Sequence, residues 1–415
     1  MTSIRTDVAI AGGGLAGMSL ALDLARAGRR VALMERRAGL GGAVHTMPGG
    51  VDNSVHLMLA ACSRCLARLE ELGSRHLLVE LDPWAVVQDG HRRLRLPMGA
   101  PLRVMPAAAR SLGIGRTLGL LGNLALLMGH QARPGERAAQ VLARSGVRAG
   151  GGAERFWREW ALSIFNAPTE LVDGALFLRT MRLLFANPRL QRPFAAAHTL
   201  EELWIGPFRR RLDEQGVRLL TGCPLRAVVR DAHRVLAFVG PGHRVEADHF
   251  VWAGPPDGLR TVDGLADVAP AMPPRSEGRH IVNFRLAARG RFASGGLMGW
   301  FGRPFQWIFP GPGGEVVLVG SGWTDEDLAH RARMEQLVPE LLASHGFDSL
   351  GGGRWVVQRH ATPMPTPAFE AARPGPRSSL VNVWWSGAWL DTGLPQSMES
   401  ALAGAELTFR ILQDK

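Results

Sequence analysis

A glycine-rich segment near the N-terminus constrains the fold of this chain more than any other feature. A short apolar run around Val8 is typical of a buried parallel strand, and Gly12, Gly14 and Gly17 follow it at the spacing G-x-G-x-x-G. The pattern then predicts a helix over 18–28. A strand, a tight turn and a helix in this order predict the first unit of a doubly wound, Rossmann-type α/β domain.

Each glycine of this turn has a physical role in binding a dinucleotide. Gly12 permits the tight turn, Gly14 lets a pyrophosphate approach the backbone, and Gly17 allows helix and strand to pack closely. The N-terminus of the helix faces the anion, and Leu15 and Ala16 are also predicted to contact the cofactor. The alternative is a glycine-rich turn that binds no ligand.

A second strand, predicted over 30–35, ends at an acidic residue. Glu35 follows Gly17 by 18 residues, where a carboxylate can accept both hydroxyls of an adenosine ribose. A further glycine pair follows, which a nicotinamide site does not require. This extension resembles the E-R-x-x-x-x-G-G loop of flavoprotein oxidoreductases, and the resemblance implies FAD as the cofactor. The predicted contacts in the extension are Arg36, Gly41, Gly42 and Ala43.

The C-terminal region again places a glycine between a strand and a helix. The strand that begins near residue 381 ends at Gly387, and a polar turn with Asp391 leads into a helix at Ser397 and Met398. The free amides of this helix N-terminus suit the pyrimidine end of a reduced flavin, where negative charge develops. We therefore predict that the two ends of the chain hold opposite ends of one cofactor.

Length and composition predict a globular protein with two closely joined domains. The chain has 415 residues, of which 46% are hydrophobic and 20% charged, and this is long for a single core. The predicted FAD-binding domain consists of 1–76, 206–258 (with Leu225 as a further cofactor contact) and 376–415. The predicted α+β substrate domain is inserted as 77–205, largely helical, and 259–375, a sheet with a helix.

The formal net charge of +11 is compatible with nucleic acid, an anionic substrate or an anionic membrane surface as a partner. The sequence has no zinc-finger spacing, no RNA-binding signature and no compact basic block with interleaved aromatic residues. We therefore expect no nucleic-acid partner. The oligomeric state is not predicted.

Segment 101–130 is the one place where the sequence suggests membrane contact. Its apolar run over 117–129 is 13 residues long, too short to cross a bilayer. Flanking arginines suit a helix that lies in the headgroup region, and they are Arg103, Arg110, Arg116 and Arg133. An ordinary buried helix is the equal alternative. Aromatic residues that follow at helical spacing, from Phe156 to Phe185, predict either core or the lining of a long apolar cavity.

The three cysteines indicate a reducing compartment, because they cannot form a disulfide framework. Cys62 and Cys65 form a C-x-x-C on a predicted helix over 57–72, and only Cys223 lies elsewhere, so we predict no metal site. Half-buried helix cysteines are favoured over a redox dithiol. The first strand begins by residue 7, which leaves no room for a signal peptide, and a cytoplasmic location follows, with the inner face of the cell membrane as a possible contact.

Several stretches together resemble the squalene-associated FAD-dependent desaturases, a group that includes the hydroxysqualene dehydroxylases within the amine oxidase and phytoene desaturase superfamily. The matching stretches are Ala11–Gly17, Leu40–Gly42, Asp52-Asn53 with His56, Phe156-Trp157 with Asn166–Pro168, and Asp391–Pro395 with Glu399. The resemblance covers nearly the whole chain. It implies an amine oxidase-like two-domain flavoprotein, with Asp52, Asn53 and His56 beside the isoalloxazine.

The resemblance also implies a reaction, the reductive removal of the hydroxyl of hydroxysqualene to give squalene on a route to hopanoids. An acid would assist departure of the allylic hydroxyl, and reduced FAD would supply hydride to the resulting cation. His56 and Asp391 are the candidate catalytic residues. An oxidative desaturase or amine oxidase is the main alternative, and a lipid-presenting flavoprotein without catalysis is a third.

Four positions depart from the family pattern. Ala43 stands where an arginine usually follows the glycine pair, which removes one expected pyrophosphate contact. Ser54 and Val55 replace the usual residues of the D-N-G-Q-H motif. Ala388 replaces the usual acidic residue after the last strand, which removes a customary ribityl ligand. FAD remains the expected cofactor, whereas a different isoprenoid substrate becomes an open alternative.

Overall fold

The computed structural model describes residues 1–90, 92–97, 106, 109–110, 113–273, 277–292, 296–311 and 314–414. A five-stranded parallel sheet holds both ends of the chain together. Its strands in spatial order are β11 (Arg218–Leu220), β3 (Val31–Met34), β2 (Val8–Ala11), β15 (His249–Trp252) and β21 (Val383–Trp385). Every residue of β2 and β3 is buried, as expected for strands covered on both faces.

Four helices cover one side of this sheet. They are α1 (Leu15–Arg26), α2 (Ser63–Leu72), α7 (Gly206–Glu214), which a π-helical turn over Glu201–Ile205 precedes, and the C-terminal α13 (Met398–Gln413). The first and last helices pack against each other and contribute Leu20 and Ala405 to one buried apolar cluster. The prediction that the two ends of the chain meet is confirmed, because β2 and β21 both pair with β15.

A small sheet lies against the other side of the parallel sheet. Its order is β1 (Thr2–Arg5), β14 (His243–Glu246), β13 (Val235–Gly240) and β12 (Ala227–Arg230). The sequence over 244–253 predicts one strand, and this prediction is wrong, because β14 ends at Glu246 and β15 begins at His249 in a different sheet. The half-buried Leu225 lies between β11 and β12 and packs against the cluster that joins these two sheets.

The third large unit is a seven-stranded, mostly antiparallel sheet. Its order is β20 (Asp348–Gln358), β16 (His280–Arg289), β19 (Glu315–Trp323), β18 (Trp307–Pro310), β17 (Gly296–Trp300), β8 (Asp82–Asp89) and β9 (Arg92–Pro97). One face packs against three short helices, α9 (Asp325–Ala329), α10 (Arg331–Gln336) and α11 (Val338–Ser344). The opposite face carries a second apolar cluster that includes Val87, Leu297 and Val319.

Four helices follow β9 in the described chain, namely α3 (Ile114–Gly129), α4 (Ala138–Arg144), α5 (Gly152–Phe165) and α6 (Gly174–Ala186). The sequence over 132–195 predicts helices interrupted at the glycine run 150–152, and this interruption is confirmed, since α5 begins at Gly152. The helical prediction is wrong at its end, where β10 (Pro193–Ala196) pairs with β6 (Met58–Leu59) and β7 (Leu78–Glu80). The remaining elements are β4 (Thr46–Met47), β5 (Val51–Asp52), α8 (Pro256–Leu259), α12 (Pro367–Ala371) and 3-10 turns at Arg75–Leu77, Pro188–Gln191 and Ala266–Val268.

Other differences from the sequence predictions have tertiary causes. The helix predicted over 57–72 begins only at Ser63, because Met58 and Leu59 pair with β10. The sequence predicts one strand over 297–309, which is instead the two antiparallel strands β17 and β18. It predicts one helix over 325–345, which is broken into the three helices α9 to α11. It also predicts a short arginine-containing helix after 101–106, and part of that stretch lies outside the described residues.

Candidate active site

The glycine-rich turn after β2 leaves no room for a side chain at Gly12 or at Gly17. Gly12 has a φ of 120°, and a Cβ there would lie 2.7 Å from the carbonyl carbon of Ala253. A Cβ at Gly17 would lie 1.8 Å from the Gly12 carbonyl oxygen. The helix begins at Leu15, three residues earlier than predicted, with Gly14 as its N-cap. The free amides of its first turn therefore start directly behind Gly14, in the position that suits an anion.

Glu35 lies beside this turn, buried at the carboxyl end of β3. Its Oε2 accepts the backbone N–H of Gly13 at 2.7 Å, and its Oε1 accepts that of Arg37 at 2.8 Å. Each carboxylate oxygen has a further lone pair. The acid is thus held against the glycine turn and can still accept hydroxyl groups, as predicted for the adenosine ribose.

The second glycine pair folds onto the first glycine turn. Gly41 donates its N–H to the Gly13 carbonyl oxygen at 2.8 Å, and a Cβ at Gly42 would lie 2.9 Å from the Gly14 Cα. The predicted contact Arg36 is exposed. Arg37, which we did not predict, bridges the loop by donating from Nη1 to the Gly42 carbonyl oxygen at 2.9 Å.

Asp52 and Asn53 make hydrogen bonds that hold the segment after the glycine pair in place. The Asp52 Oδ1 accepts the Thr46 hydroxyl at 2.6 Å and the Leu200 N–H at 2.9 Å, and burial raises the pKa of this carboxyl group. Asn53 donates from Nδ2 to the carbonyl oxygen of the predicted contact Ala43 at 2.8 Å. Both side chains therefore fix the backbone next to the glycine pair.

His56 is half-buried and has a ring nitrogen that lacks a hydrogen-bond partner in the described part of the chain. Its neighbours Val55 and Leu57 pack against the apolar face of the seven-stranded sheet. The Nε2 atom of His56 and the Nδ1 atom of His45 are buried without a hydrogen-bond partner among the described residues. Burial and the nearby His45 lower the pKa of His56 to about 4, and burial and Arg37 lower that of His45. His56 is thus neutral at pH 7, and both rings offer a nitrogen to a ligand.

The C-terminal loop meets the same edge of the parallel sheet. A Cβ on Gly404 of α13 would lie 2.3 Å from the Gly387 carbonyl oxygen, so helix and turn are in close contact. Ser397 caps α13 by accepting the Ser400 N–H at 3.3 Å, and half-buried Met398 is the first helical residue. Asp391 is exposed, and its Oδ1 accepts the Gly393 N–H at 3.3 Å.

Glu399 ties this loop to α2. Its buried carboxylate accepts the backbone N–H groups of Arg64 at 3.1 Å and Cys65 at 3.0 Å. A negative charge at the N-termini of two helices is favourable. Cys62 and Cys65 are free, and burial raises the pKa of Cys62 to about 11 and that of Cys65 well above its usual value. Both remain protonated thiols at neutral pH, which supports their predicted packing role.

The predicted aromatic cluster packs mainly on itself. Trp157 and Phe177 are almost fully buried and make an edge-to-face contact with ring centroids 5.7 Å apart. Trp160 packs against Phe177 at 5.5 Å. Most of this cluster is therefore core between α5 and α6. No group of three or more residues with metal-ligating side chains occurs in the part of the chain that the structure describes.

These features fit FAD. The close backbone approach at Gly14 and Gly42, the open helix N-terminus behind it and the buried Glu35 match the pyrophosphate and ribose of a dinucleotide. The carboxyl ends of β2 and β21 lie at the same edge of the sheet, where ligands bind in open α/β folds.

Comparison with known proteins agrees with this geometry. A family model described as flavin containing amine oxidoreductase matches residues 15–408. The chain is 27% identical over 414 residues to a hydroxysqualene dehydroxylase from Rhodopseudomonas palustris, with 95% of both chains covered. It is 23% identical to one from Sinorhizobium fredii, also with 95% of both chains covered. A hydroxyneurosporene desaturase from Cereibacter sphaeroides is 25% identical over 338 residues, or 70% of this chain and 65% of that protein.

Solved structures share the fold at low sequence identity. An oxidoreductase from Methanosarcina mazei has a TM-score of 0.74 at 12% identity, covering 99% of this chain and all of that one. A putrescine oxidase variant has a TM-score of 0.70 at 15% identity over both full chains. The predicted fold class, family resemblance and cofactor are confirmed. The chain belongs to the family of flavin-containing amine oxidoreductases and is an FAD-dependent oxidoreductase.

Proposed function

We propose that this protein reductively removes the hydroxyl group of a long isoprenoid alcohol of the hydroxysqualene type to give squalene. The observation that carries the proposal is the apolar face of the seven-stranded sheet, which meets the segment that bears His56. A hydrocarbon chain can lie along such a face. The two hydroxysqualene dehydroxylases matched over 95% of their length support this substrate class.

The proposed chemistry divides between cofactor and protein. Bound in its reduced form, FAD supplies the hydride. The neutral His56 offers an unpaired Nε2 that can hydrogen bond to a substrate hydroxyl. Asp391 places a carboxylate in the loop between the last strand and α13. The surrounding apolar residues exclude water and favour a hydrocarbon over a charged substrate.

A desaturase that works in the oxidative direction is the second candidate. The hydroxyneurosporene desaturase match supports it, because that name also denotes a hydroxylated isoprenoid. An amine oxidase is less favoured, since the putrescine oxidase match extends to the fold alone.

Product analysis separates these functions. The protein with reduced FAD is incubated anaerobically with hydroxysqualene, and in parallel the oxidised protein is incubated with hydroxyneurosporene or putrescine. Squalene formed in step with flavin oxidation supports the proposal. Turnover only by the oxidised protein would transfer the assignment to desaturation or amine oxidation.

We also propose that α3 contacts an anionic membrane surface from which the substrate enters. Ile114, Leu118 and Leu126 are 71%, 59% and 51% exposed, whereas Leu127 is buried against the helical core. Residues 90–135 contain seven arginines and no acidic residue. An exposed apolar helix in a purely basic segment suits the headgroup region of anionic lipids. Within the described residues, no helix is long and apolar enough to cross a bilayer.

Vesicle flotation tests this contact. Leu118→Glu should weaken binding to phosphatidylglycerol vesicles, whereas Val381→Glu, at a residue 66% exposed elsewhere, should not. Phosphatidylcholine vesicles should bind the wild type weakly because they lack the negative charge. Equal flotation of both variants would refute the contact and leave the substrate assignment intact.

A further inference from the structure

Arg373 is a buried cation that holds the C-terminal loop. It follows α12, and its side chain is 0% exposed. The guanidinium donates hydrogen bonds to the carbonyl oxygens of Ala388 at 3.0 Å, Leu390 at 2.9 Å and Leu394 at 2.9 Å. One side chain therefore donates to three carbonyl groups that lie within seven residues of one loop.

The same guanidinium connects the loop to the first turn of α13. It donates to the Thr392 hydroxyl at 3.2 Å. The hydroxyls of Thr392 and Ser400 are 2.7 Å apart, and Ser400 in turn donates to the Ala388 carbonyl oxygen at 3.1 Å. This network sets the path of the chain between Gly387 and the N-terminus of α13, and the loop that it holds includes the candidate catalytic residue Asp391.

The charge of Arg373 is paired from outside the loop. A guanidinium is always protonated in proteins, and its ion-pair partner is Glu370, whose Oε2 lies 3.0 Å away. The Oε1 of Glu370 is buried without a hydrogen-bond partner in the described structure. Burial also raises the pKa of Glu370. Within the loop, Ala388 adds no negative charge and Asp391 is exposed. The negative charge that pairs with the guanidinium is therefore that of Glu370 on α12, outside the loop.

We infer that Arg373 is a positioning residue that orders the 388–394 loop at the predicted pyrimidine end of the flavin and adds positive potential there, which would favour the reduced, anionic cofactor. This rests on FAD binding and on the predicted place of its pyrimidine end at α13. It does not depend on the isoprenoid substrate. Buried charges act strongly at short range because the surrounding dielectric is low.

Three variants and a control distinguish the ordering of the loop by Arg373 from the effect of its positive charge. Arg373→Lys keeps the positive charge but loses the planar set of N–H donors. The affinity for FAD should therefore fall roughly tenfold, with little change in the midpoint potential of the flavin. Arg373→Gln should lower affinity and shift the potential to more negative values. Glu370→Gln removes the counter-charge and should shift the potential to more positive values. The control is Arg377→Gln, because exposed Arg377 lies over the Trp384 ring at 5.3 Å and outside the loop.

The measurements are FAD titration of the apoprotein and redox titration of the reconstituted holoprotein. Opposite shifts for Arg373→Gln and Glu370→Gln support the inference. If Arg373→Gln does not fold, the positive shift in Glu370→Gln decides the question. An unchanged potential in Glu370→Gln and in every folded Arg373 variant overturns it, even where affinity falls, because a purely structural arginine gives that pattern. Failure to reduce hydroxysqualene would overturn the proposed function but not this result.

Discussion

Gly14 and Gly42 approach so closely that a Cβ added to Gly42 would lie 2.9 Å from the Gly14 Cα. These residues belong to two loops that leave the carboxyl ends of β2 and β3. The hydrogen bond from the Gly41 N–H to the Gly13 carbonyl oxygen joins the same loops. The two glycine motifs therefore form one backbone surface, and a pyrophosphate can approach it without meeting a side chain.

Gly42→Ala should weaken FAD binding while the rest of the fold remains. The φ of Gly42 is 62°, which an alanine adopts only with strain, and its methyl group would push the two loops apart. Gly39→Ala in the same loop is the matched control, because a Cβ there meets nothing within 4 Å. Flavin fluorescence titration of the apoproteins measures the difference. Equal affinity of the two variants would show that the loop contact does not shape the site.

Glu35→Ala should abolish stoichiometric FAD binding. The carboxylate both accepts two backbone N–H groups and is predicted to accept the ribose hydroxyls. A hydrogen bond to a charged group contributes about 1.5–3 kcal/mol, so two lost contacts predict a rise in Kd of at least about a hundredfold. The purified protein should be colourless and retain its far-UV circular dichroism. A yellow protein at full flavin stoichiometry would contradict the placement of the ribose.

The part of the site that could be predicted from sequence rests on local backbone requirements. A side chain would collide with a neighbouring loop or strand at Gly12, Gly17 and Gly42. The requirement for glycine at these positions is visible in the sequence as the spacing of the motif. The place of Glu35 could also be predicted, because the second strand ends at the same edge of the sheet as the glycine turn. Short apolar runs likewise located β2 and β3.

Contacts between distant segments could not be predicted in this way. Arg373 reaches residues 388–394 only after the fold has formed, and nothing in its neighbours distinguishes it from the other arginines. The unpaired nitrogen of His45 is likewise a result of burial. Strand β20 contains Gly351, Gly352 and Gly353, which are typical of a loop. Gly353 nevertheless pairs with Leu286 of β16, and Gly351 and Gly352 fall in a register shift of the same ladder.

Asp391→Asn should retain FAD but lower turnover. The amide keeps the oxygen that accepts the Gly393 N–H, so the loop is preserved, whereas the negative charge is lost. Flavin content per protein and the rate of anaerobic flavin reoxidation by hydroxysqualene are the two measurements. We expect an unchanged content and a rate lowered about a hundredfold, a size usual for the loss of a positioned acid–base group. An unchanged rate removes Asp391 from the catalytic residues.

Acid should destabilise the FAD-free protein partly through His56. The folded-state pKa is about 4, whereas an unfolded histidine has a pKa of about 6.5. The unfolded state therefore binds the proton first, and stability is lost as the pH falls from about 6.5 towards 4. By pH 5 this loss amounts to about 2 kcal/mol.

The variant His56→Gln isolates this contribution. Its free energy of unfolding, from urea titrations at pH 7.5 and pH 5, should fall by about 2 kcal/mol less than that of the wild type. The exposed His76 provides the control variant His76→Gln, which should follow the wild type. Identical pH dependence in all three proteins would mean that His56 is accessible to protons in the folded state.

Asn166→Ala should destabilise the protein more than Asn166→Gly. Asn166 ends α5 with a φ of 54°, a region that alanine disfavours and glycine adopts freely. Its Nδ2 donates to the Arg279 carbonyl oxygen at 3.0 Å, and its Oδ1 accepts the Gly322 N–H at 2.7 Å. Both variants lose these bonds and should lower the free energy of unfolding by about 2–3 kcal/mol. Alanine should add about 1 kcal/mol of backbone strain. Urea titration gives both values, and equal losses would show that the side chain, not the backbone conformation, selects asparagine at the junction of α5 with β16 and β19.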